Sequence, residues 1–257
     1  MQSPDMSMPS NPRNGASFLG RHFYLFASIG LLALTAIGFR FFYLEGKAYP
    51  GRELAPPIRS LLIGHGVLMT VWMLFAVVQP LLVSLQHKRL HLALGRLGAL
   101  IALGVFITGL RTGLEAARVA PPDLRLFGLL PKEFLTVPLG SILLFGGFVT
   151  AGVLCRRQPA WHRPLMLLAS LTAVSAALGR IESVNAWYAG TWLEQTFSAF
   201  LTMNLLGLLL LGLRSLSLRT LDKPFAVAWL VMLLGSLVFS LSARTAAWQA
   251  VANWLLG

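Results

Sequence analysis

Long apolar runs alternate with short polar or charged stretches along almost the whole chain. A helix needs about 20 apolar residues to cross the hydrocarbon core of a bilayer. Measured against that length, the chain contains seven candidate membrane-spanning helices, at residues 22–43, 59–85, 93–114, 134–155, 162–181, 195–215 and 224–243. The pattern predicts an all-α fold, a polytopic membrane helix bundle with about seven transmembrane helices.

The two ends of the chain differ from these apolar runs. Residues 1–20 are polar and rich in Ser, Pro and Asn, which predicts a disordered tail. We expect residues 21–257 to form a single transmembrane helical domain, because no linker or internal repeat divides them. Near the carboxyl end, Trp248, Val251 and Leu255 recur at nearly helical spacing beside polar residues, which predicts a short helix at the membrane interface.

Composition supports a membrane location. Of the 257 residues, 56% are hydrophobic and only 12% are charged, whereas an average soluble domain has about 25% charged residues. The net charge of +12 does not indicate a nucleic-acid partner, since the basic residues lie in short clusters between apolar runs. The partner that the composition predicts is the lipid bilayer.

The basic clusters also predict an orientation. The second, fourth and sixth loops are short and dense in Lys and Arg, whereas the first and third loops also contain carboxylates. Loops rich in Lys and Arg tend to stay on the cytoplasmic side of a membrane. We therefore expect the amino terminus inside and the carboxyl terminus outside.

Three polar residues of the predicted spans are candidates for a ligand-binding site: His65, Gln79 and Arg180. Ionisable groups are costly in lipid, so they usually face the interior of a bundle and carry function. Close to four helical turns separate His65 from Gln79, which places both on one helix face. Two interpretations are open, a site for an apolar or protonatable ligand or a histidine that only bonds a neighbouring helix.

A second set of polar residues is expected near the opposite membrane surface, where His91 and His162 have Arg96 and Arg163 beside them. Histidines from two facing helices can supply both axial ligands of a b-type haem, and arginines can bind its propionates. Small residues follow both histidines at helical spacing, and they either allow close helix packing or leave a slot for a macrocycle. Two interpretations are therefore open for His91 and His162. They bind a metal or haem, or they are polar residues that only contact the lipid headgroups.

Two stretches carry a resemblance to a known family, GHGVLMTVWMLFAVVQPLLVSLQHKRLHLALGRLG and WHRPLMLLASLTAVSAALGRI. The chain resembles bacterial multi-span membrane proteins of unknown function that have a His, a downstream Gln, a Leu-His-x-x-Leu-Gly-Arg string and a later His-Arg-x-x-Met string ending in Arg. The matching positions are His65, Gln79, His91, Gly95, Arg96, His162, Arg163, Met166 and Arg180. The resemblance covers about residues 60–182 and implies a multi-pass protein of the bacterial inner (plasma) membrane.

A looser likeness is to cytochrome b-type membrane proteins, which pair histidines across a four-helix core. This chain lacks a second histidine on the outer side, so the likeness does not extend to electron transfer through two haems.

Together these patterns give two function hypotheses. The first is a b-type haem between the third and fifth spans, serving electron transfer or redox sensing. The alternative is a non-enzymatic binder or transporter of a small apolar or protonatable ligand near His65 and Arg180. No Gly-x-Ser-x-Gly or His-Glu-x-x-His string occurs and there is one cysteine, so the catalytic residues are unassigned and enzymatic activity is left open.

Overall fold

The protein is an all-α helical bundle in its computed structural model, which describes residues 18–49 and 52–257. The predicted polar tail lies almost wholly outside the described residues. The long helices are α1 (Phe18–Gly38), α3 (Arg59–Ser84), α4 (Lys88–Arg118), α6 (Thr136–Leu154), α7 (Pro159–Leu178), α10 (Leu201–Leu218) and α11 (Lys223–Ser242).

Short elements connect the long helices. They are α2 (Arg40–Glu45), an antiparallel pair of strands β1 (Lys47–Tyr49) and β2 (Arg52–Glu53), α5 (Pro131–Phe134), α8 (Glu182–Asn185), α9 (Trp192–Phe197) and α12 (Ala246–Leu256). Helix α12 occupies the stretch predicted as an interfacial helix, and its Trp254 is 80% exposed.

Two helix ends differ from the prediction, and both differences concern candidate residues. Helix α4 begins at Lys88 rather than near residue 93, so His91 lies in its first turn. Helix α7 ends at Leu178, so Arg180 lies in the turn beyond the helix, whereas the predicted span 162–181 included it. Apolar runs locate helices well, whereas their ends depend on local hydrogen bonds and turns.

The predicted number of seven spans is not confirmed. Among the described residues, five helices are long and apolar enough to cross a membrane, namely α3, α4, α6 extended from Pro131, α10 extended from Trp192, and α11. Helix α7 passes the same test only together with its continuation Glu182–Tyr188, which is bent from it by 101°. The apolar part of α1, His22–Gly38, is shorter than a span.

The outward faces of the long helices are apolar, which identifies a membrane protein. On α4, for example, Leu97, Leu100, Leu103 and Ile107 are all about half exposed or more. Soluble monomers rarely expose contiguous apolar patches of this extent. In a bilayer the same side chains contact lipid.

Helix α7 forms the centre of the bundle. Every residue from Leu165 to Leu178 is buried except Met166 and Ala176, and α7 packs against α1, α3, α6, α10 and α11. A Cβ atom added at Gly38 of α1 would collide with the backbone of Ala177 in α7. Small residues therefore bring α1 and α7 into backbone contact.

The antiparallel helices give the bundle two ends, named here after one residue at each. The Arg180 end contains the last residues of α1, α4 and α7 and the first residues of α3 and α6. The His162 end contains the opposite termini of these helices together with the α10–α11 loop.

Candidate functional site

A cavity of about 500 Å³ opens within the Arg180 end of the bundle. Its walls come from α1, α3, α4, α6 and α7, and residues of the α2–α3 and α4–α5 connections also line it. Most lining side chains are apolar, including Phe39, Phe42, Met69, Ile142 and Phe145. Of the described residues that line it, none is Asp, Glu or Lys, and Arg180 and His65 supply the only guanidinium and imidazole.

Helix α3 presents His65 to this cavity opposite α4. The Nδ1 atom of His65 lies 2.9 Å from Oγ1 of Thr108, and the Thr108 hydroxyl donates its single hydrogen to the carbonyl of Gly104 at 2.7 Å. Since a hydroxyl has only one hydrogen, Thr108 accepts from His65, which fixes the proton of the neutral ring on Nδ1. The Nε2 atom then keeps a lone pair that can accept a hydrogen bond.

Gly109 makes room for this imidazole. A Cβ atom at Gly109 would lie 3.3 Å from Cε1 of His65 and 2.7 Å from Cδ1 of Ile142. The absence of a side chain at Gly109 thus lets the imidazole of His65 pack between α3 and α4.

Arg180 contributes the positive charge of the cavity. Its Nη1 atom donates to the carbonyl of Ala176 at 2.7 Å, and its Cζ atom lies 4.5 Å from the ring centroid of Phe39. The carbonyl and the aromatic face hold the guanidinium in a fixed position. At the Arg180 end of the bundle, this places a cation beside a cavity whose other lining side chains are mostly apolar.

Several further polar groups line the cavity that sequence reasoning did not assign. The hydroxyls of Ser141 and Ser175 are 2.9 Å apart, and Tyr43 Oη lies 2.8 Å from Thr70 Oγ1. The buried Oγ1 of Thr112 has no hydrogen-bond partner within the described structure. Thr112 follows Thr108 by four residues, with Gly109 between them, and this spacing was the available sequence signal for Thr112.

Gln79 does not lie at this cavity. It faces α4 at the His162 end. With its side-chain amide oriented to match its neighbours, the amide nitrogen donates to the carbonyl of His91 and to His91 Nδ1, and the amide oxygen accepts from Gly95 N at 3.2 Å. The fourteen residues from His65 correspond to about 21 Å of helix, at about 1.5 Å per residue. The two residues share a face of α3 but lie near opposite ends of the bundle.

The structure brings His91 and His162 together at the His162 end. Their ring centroids are 6.4 Å apart and their planes are nearly perpendicular, at 85°. His162 donates from Nδ1 to the carbonyl of Gly152 at 2.7 Å, which leaves a lone pair on Nε2. In His91, Nδ1 accepts from Gln79, so the neutral ring carries its proton on Nε2.

The space beside the small residues near the two rings is filled at two positions and open at a third. A Cβ atom at Gly98 would meet the Phe75 side chain at 3.5 Å, and one at Gly152 would meet Sδ of Met166 at 2.7 Å. A Cβ atom at Gly95, one turn from His91, would meet no atom within 4 Å. Ligation through Nε2 of His91 also requires this ring to give up the tautomer that accepts from Gln79.

The other predicted members of the haem set, Arg96 and Arg163, are both exposed at the His162 end. Within the described part of the chain, no group of three His, Cys, Asp or Glu side chains is placed to hold a metal ion. Ligation of haem or metal by His91 and His162 stays a prediction.

These features define the protein as a helical membrane protein with a mostly apolar internal cavity. No family model matches the chain, and no curated protein or solved structure is found to be similar to it. The resemblance to bacterial multi-span proteins stays a prediction, and the function is argued from the cavity itself.

Proposed function

We propose that the protein binds, and in doing so stores or transports, a small and mostly apolar ligand in the cavity beside His65 and Arg180. The observation that carries this proposal is a cavity of about 500 Å³ that contains one imidazole and one guanidinium among apolar side chains. The bacterial inner membrane is the proposed location, on the basis of the basic loops and the resemblance given above.

The size and lining of the cavity support a ligand of this kind. Binding sites for small molecules commonly enclose about 300–1,000 Å³ and combine apolar walls with a few polar groups that fix orientation. Phenylalanine rings and aliphatic side chains supply the walls here.

The polar groups indicate the chemistry of the ligand's head. Arg180 is cationic and cannot lose its proton, and no carboxylate is among the described residues lining the cavity. A cationic head would meet the like charge of Arg180, whereas an anion or a hydrogen-bond acceptor would be attracted to it. His65 can accept from a hydroxyl or a protonated head through Nε2. An acid bound in its ionised form satisfies the condition set by Arg180, and a hydroxyl group on the same ligand would satisfy Nε2 of His65.

Three probes of equal chain length test the proposal: decanoate, decanol and decylamine. Added to the purified protein in one neutral detergent, decanoate should raise the midpoint of thermal unfolding more than decanol does, and decylamine should have the smallest effect. Arg180→Gln should abolish the preference for decanoate, because it removes the charge that pairs with the head. Arg111→Gln is the matched control, since Arg111 is exposed and does not line the cavity.

A steric variant tests the location independently of charge. Ala176 lines the cavity and is exposed within an otherwise buried stretch of α7, so Ala176→Phe should fill the volume without repacking the core. Binding of all three probes should fall, whereas Ala250→Phe on the exposed face of α12 should leave it unchanged. Unaltered binding by Ala176→Phe would show that the probes bind elsewhere.

The second candidate function is haem binding by His91 and His162, with electron transfer or redox sensing as its role. It is favoured by the 6.4 Å separation of the two rings and disfavoured by the side chains packed beside Gly98 and Gly152. Protein expressed with ample haem should then show a Soret band that His91→Ala and His162→Ala remove and His87→Ala keeps. A colourless protein would exclude this candidate.

A further inference from the structure

A second pocket, also of about 500 Å³, opens at the His162 end, on the opposite side of the bundle from the cavity. Its lining residues come from α1, α7, α10, α11 and the α10–α11 connection, and they include Tyr24, Arg163, Arg214, Asp222 and Lys223. Three of these side chains are cationic and one is a carboxylate. The function proposed above makes no use of this pocket.

Arg214 is the most buried of the cationic side chains that line the pocket. Its side chain and that of Asp222 are 11% and 10% exposed, and Nε of Arg214 lies 3.4 Å from Oδ2 of Asp222. Arg214 also donates from Nη1 to the carbonyl of Gly20 at 2.8 Å, and its Cζ atom lies 5.2 Å from the ring centroid of Tyr24. A guanidinium has five N–H donors, so these two hydrogen bonds fix its position without using all of its donors.

Both carboxylate oxygens of Asp222 already have partners within the fold. Besides pairing with Arg214, it accepts from the backbone N–H of Phe225 at 3.2 Å and so caps the start of α11. Arg163 and Lys223, both exposed, face the same pocket, and among its described lining residues there is no second carboxylate to balance them. The pocket therefore has a net positive charge.

We propose that this pocket binds the phosphate of an anionic ligand, at the level where the helices leave the membrane. Arg163 and Lys223 would bind the phosphate oxygens from the two sides, and Arg214 would bind them from below. The first turn of α7, which also lines the pocket, adds the positive end of a helix dipole. The start of α11 is already capped by the carboxylate of Asp222. Leu218 and Leu221 border these cations, so a lipid headgroup is one source of the phosphate and a soluble phosphate is the other.

Native mass spectrometry of the full chain in a neutral detergent tests the proposal, with phosphatidylglycerol and inorganic phosphate as separate probes. We expect one tightly bound phosphatidylglycerol per protein. The double variant Arg163→Gln/Lys223→Gln should bind it about 25-fold more weakly, at about fivefold for each cation near a membrane surface. Inorganic phosphate at millimolar concentration would displace the lipid if the soluble ion were the true ligand.

The matched control is Lys88→Gln/Arg89→Gln, which removes two exposed cations from the same end without touching the pocket. It should bind phosphatidylglycerol as the wild type does. An equal loss in both double variants would show only diffuse attraction to a basic surface and would overturn the proposal. Lack of binding of either probe by the wild type would overturn it as well.

Discussion

At the scale of single residues, the cavity depends on how one histidine is held within a membrane bundle. His65 donates from Nδ1 to Thr108, and Thr108 donates in turn to the carbonyl of Gly104. This chain of hydrogen bonds satisfies a polar group whose burial would otherwise be costly. It also keeps Nε2 as the atom available for a ligand.

Replacing Thr108 by Val tests this arrangement, because valine has nearly the same shape but cannot accept a hydrogen bond. The buried N–H of His65 would then have no acceptor, at a cost of about 1–3 kcal/mol in the free energy of unfolding. Denaturation by sodium dodecyl sulfate in mixed micelles measures the change. Thr150→Val, at an exposed position of α6, should change the free energy little, and an equal loss there would contradict the assignment.

The sequence groups three residues as candidates for one ligand site, and the structure places them at two ends of the bundle. His65 and Arg180 line one cavity, whereas Gln79 contacts His91 at the His162 end. Helical periodicity gives the direction in which a side chain points but not which neighbour lies at its depth. The contact of Gln79 with His91 depends on the pairing of α3 with α4, which a single sequence does not contain.

At the scale of elements, the packing of α1 on α7 determines how closely the cavity walls approach. Apolar runs predicted the positions of the long helices, but not the break after Gly38, where α1 ends and α2 begins. That break lies where α1 meets the backbone of Ala177. Such a contact between distant parts of the chain has no signature in a local hydropathy window.

Gly38→Ala should therefore be one of the more harmful single-atom changes to the bundle. The added Cβ would collide with backbone atoms of Ala177, which cannot move aside as a flexible side chain could. We expect a loss of about 3 kcal/mol in the free energy of unfolding, at the upper end for overpacked cores. Gly30→Ala in the same helix meets no atom within 4 Å and should be neutral or slightly stabilising. Equal effects of the two changes would show that α1 and α7 are not in backbone contact.

At the scale of the whole molecule, the two ends differ in their acidic residues more than in their basic ones. The described residues of the His162 end include Lys88, Arg89, Arg156, Arg157 and Arg219, with Asp222 as the one carboxylate among them. The described part of the Arg180 end has seven acidic residues mixed with its basic residues, namely Glu45, Glu53, Glu115, Asp123, Glu133, Glu182 and Glu194. Because the cytoplasmic leaflet carries anionic lipids, this difference favours a His162 end that faces the cytoplasm.

Single-cysteine labelling tests this orientation in a Cys155→Ser background. Thr220→Cys marks the His162 end and Ser183→Cys marks the Arg180 end, and both positions are exposed and uncharged. A membrane-impermeant maleimide should label Ser183→Cys on intact spheroplasts and should label Thr220→Cys only after lysis. The opposite result would reverse the orientation. The cavity at the Arg180 end would then open toward the cytoplasm, and the pocket proposed to bind phosphate would face away from the anionic leaflet. One labelling experiment therefore decides on which side of the membrane each binding site lies.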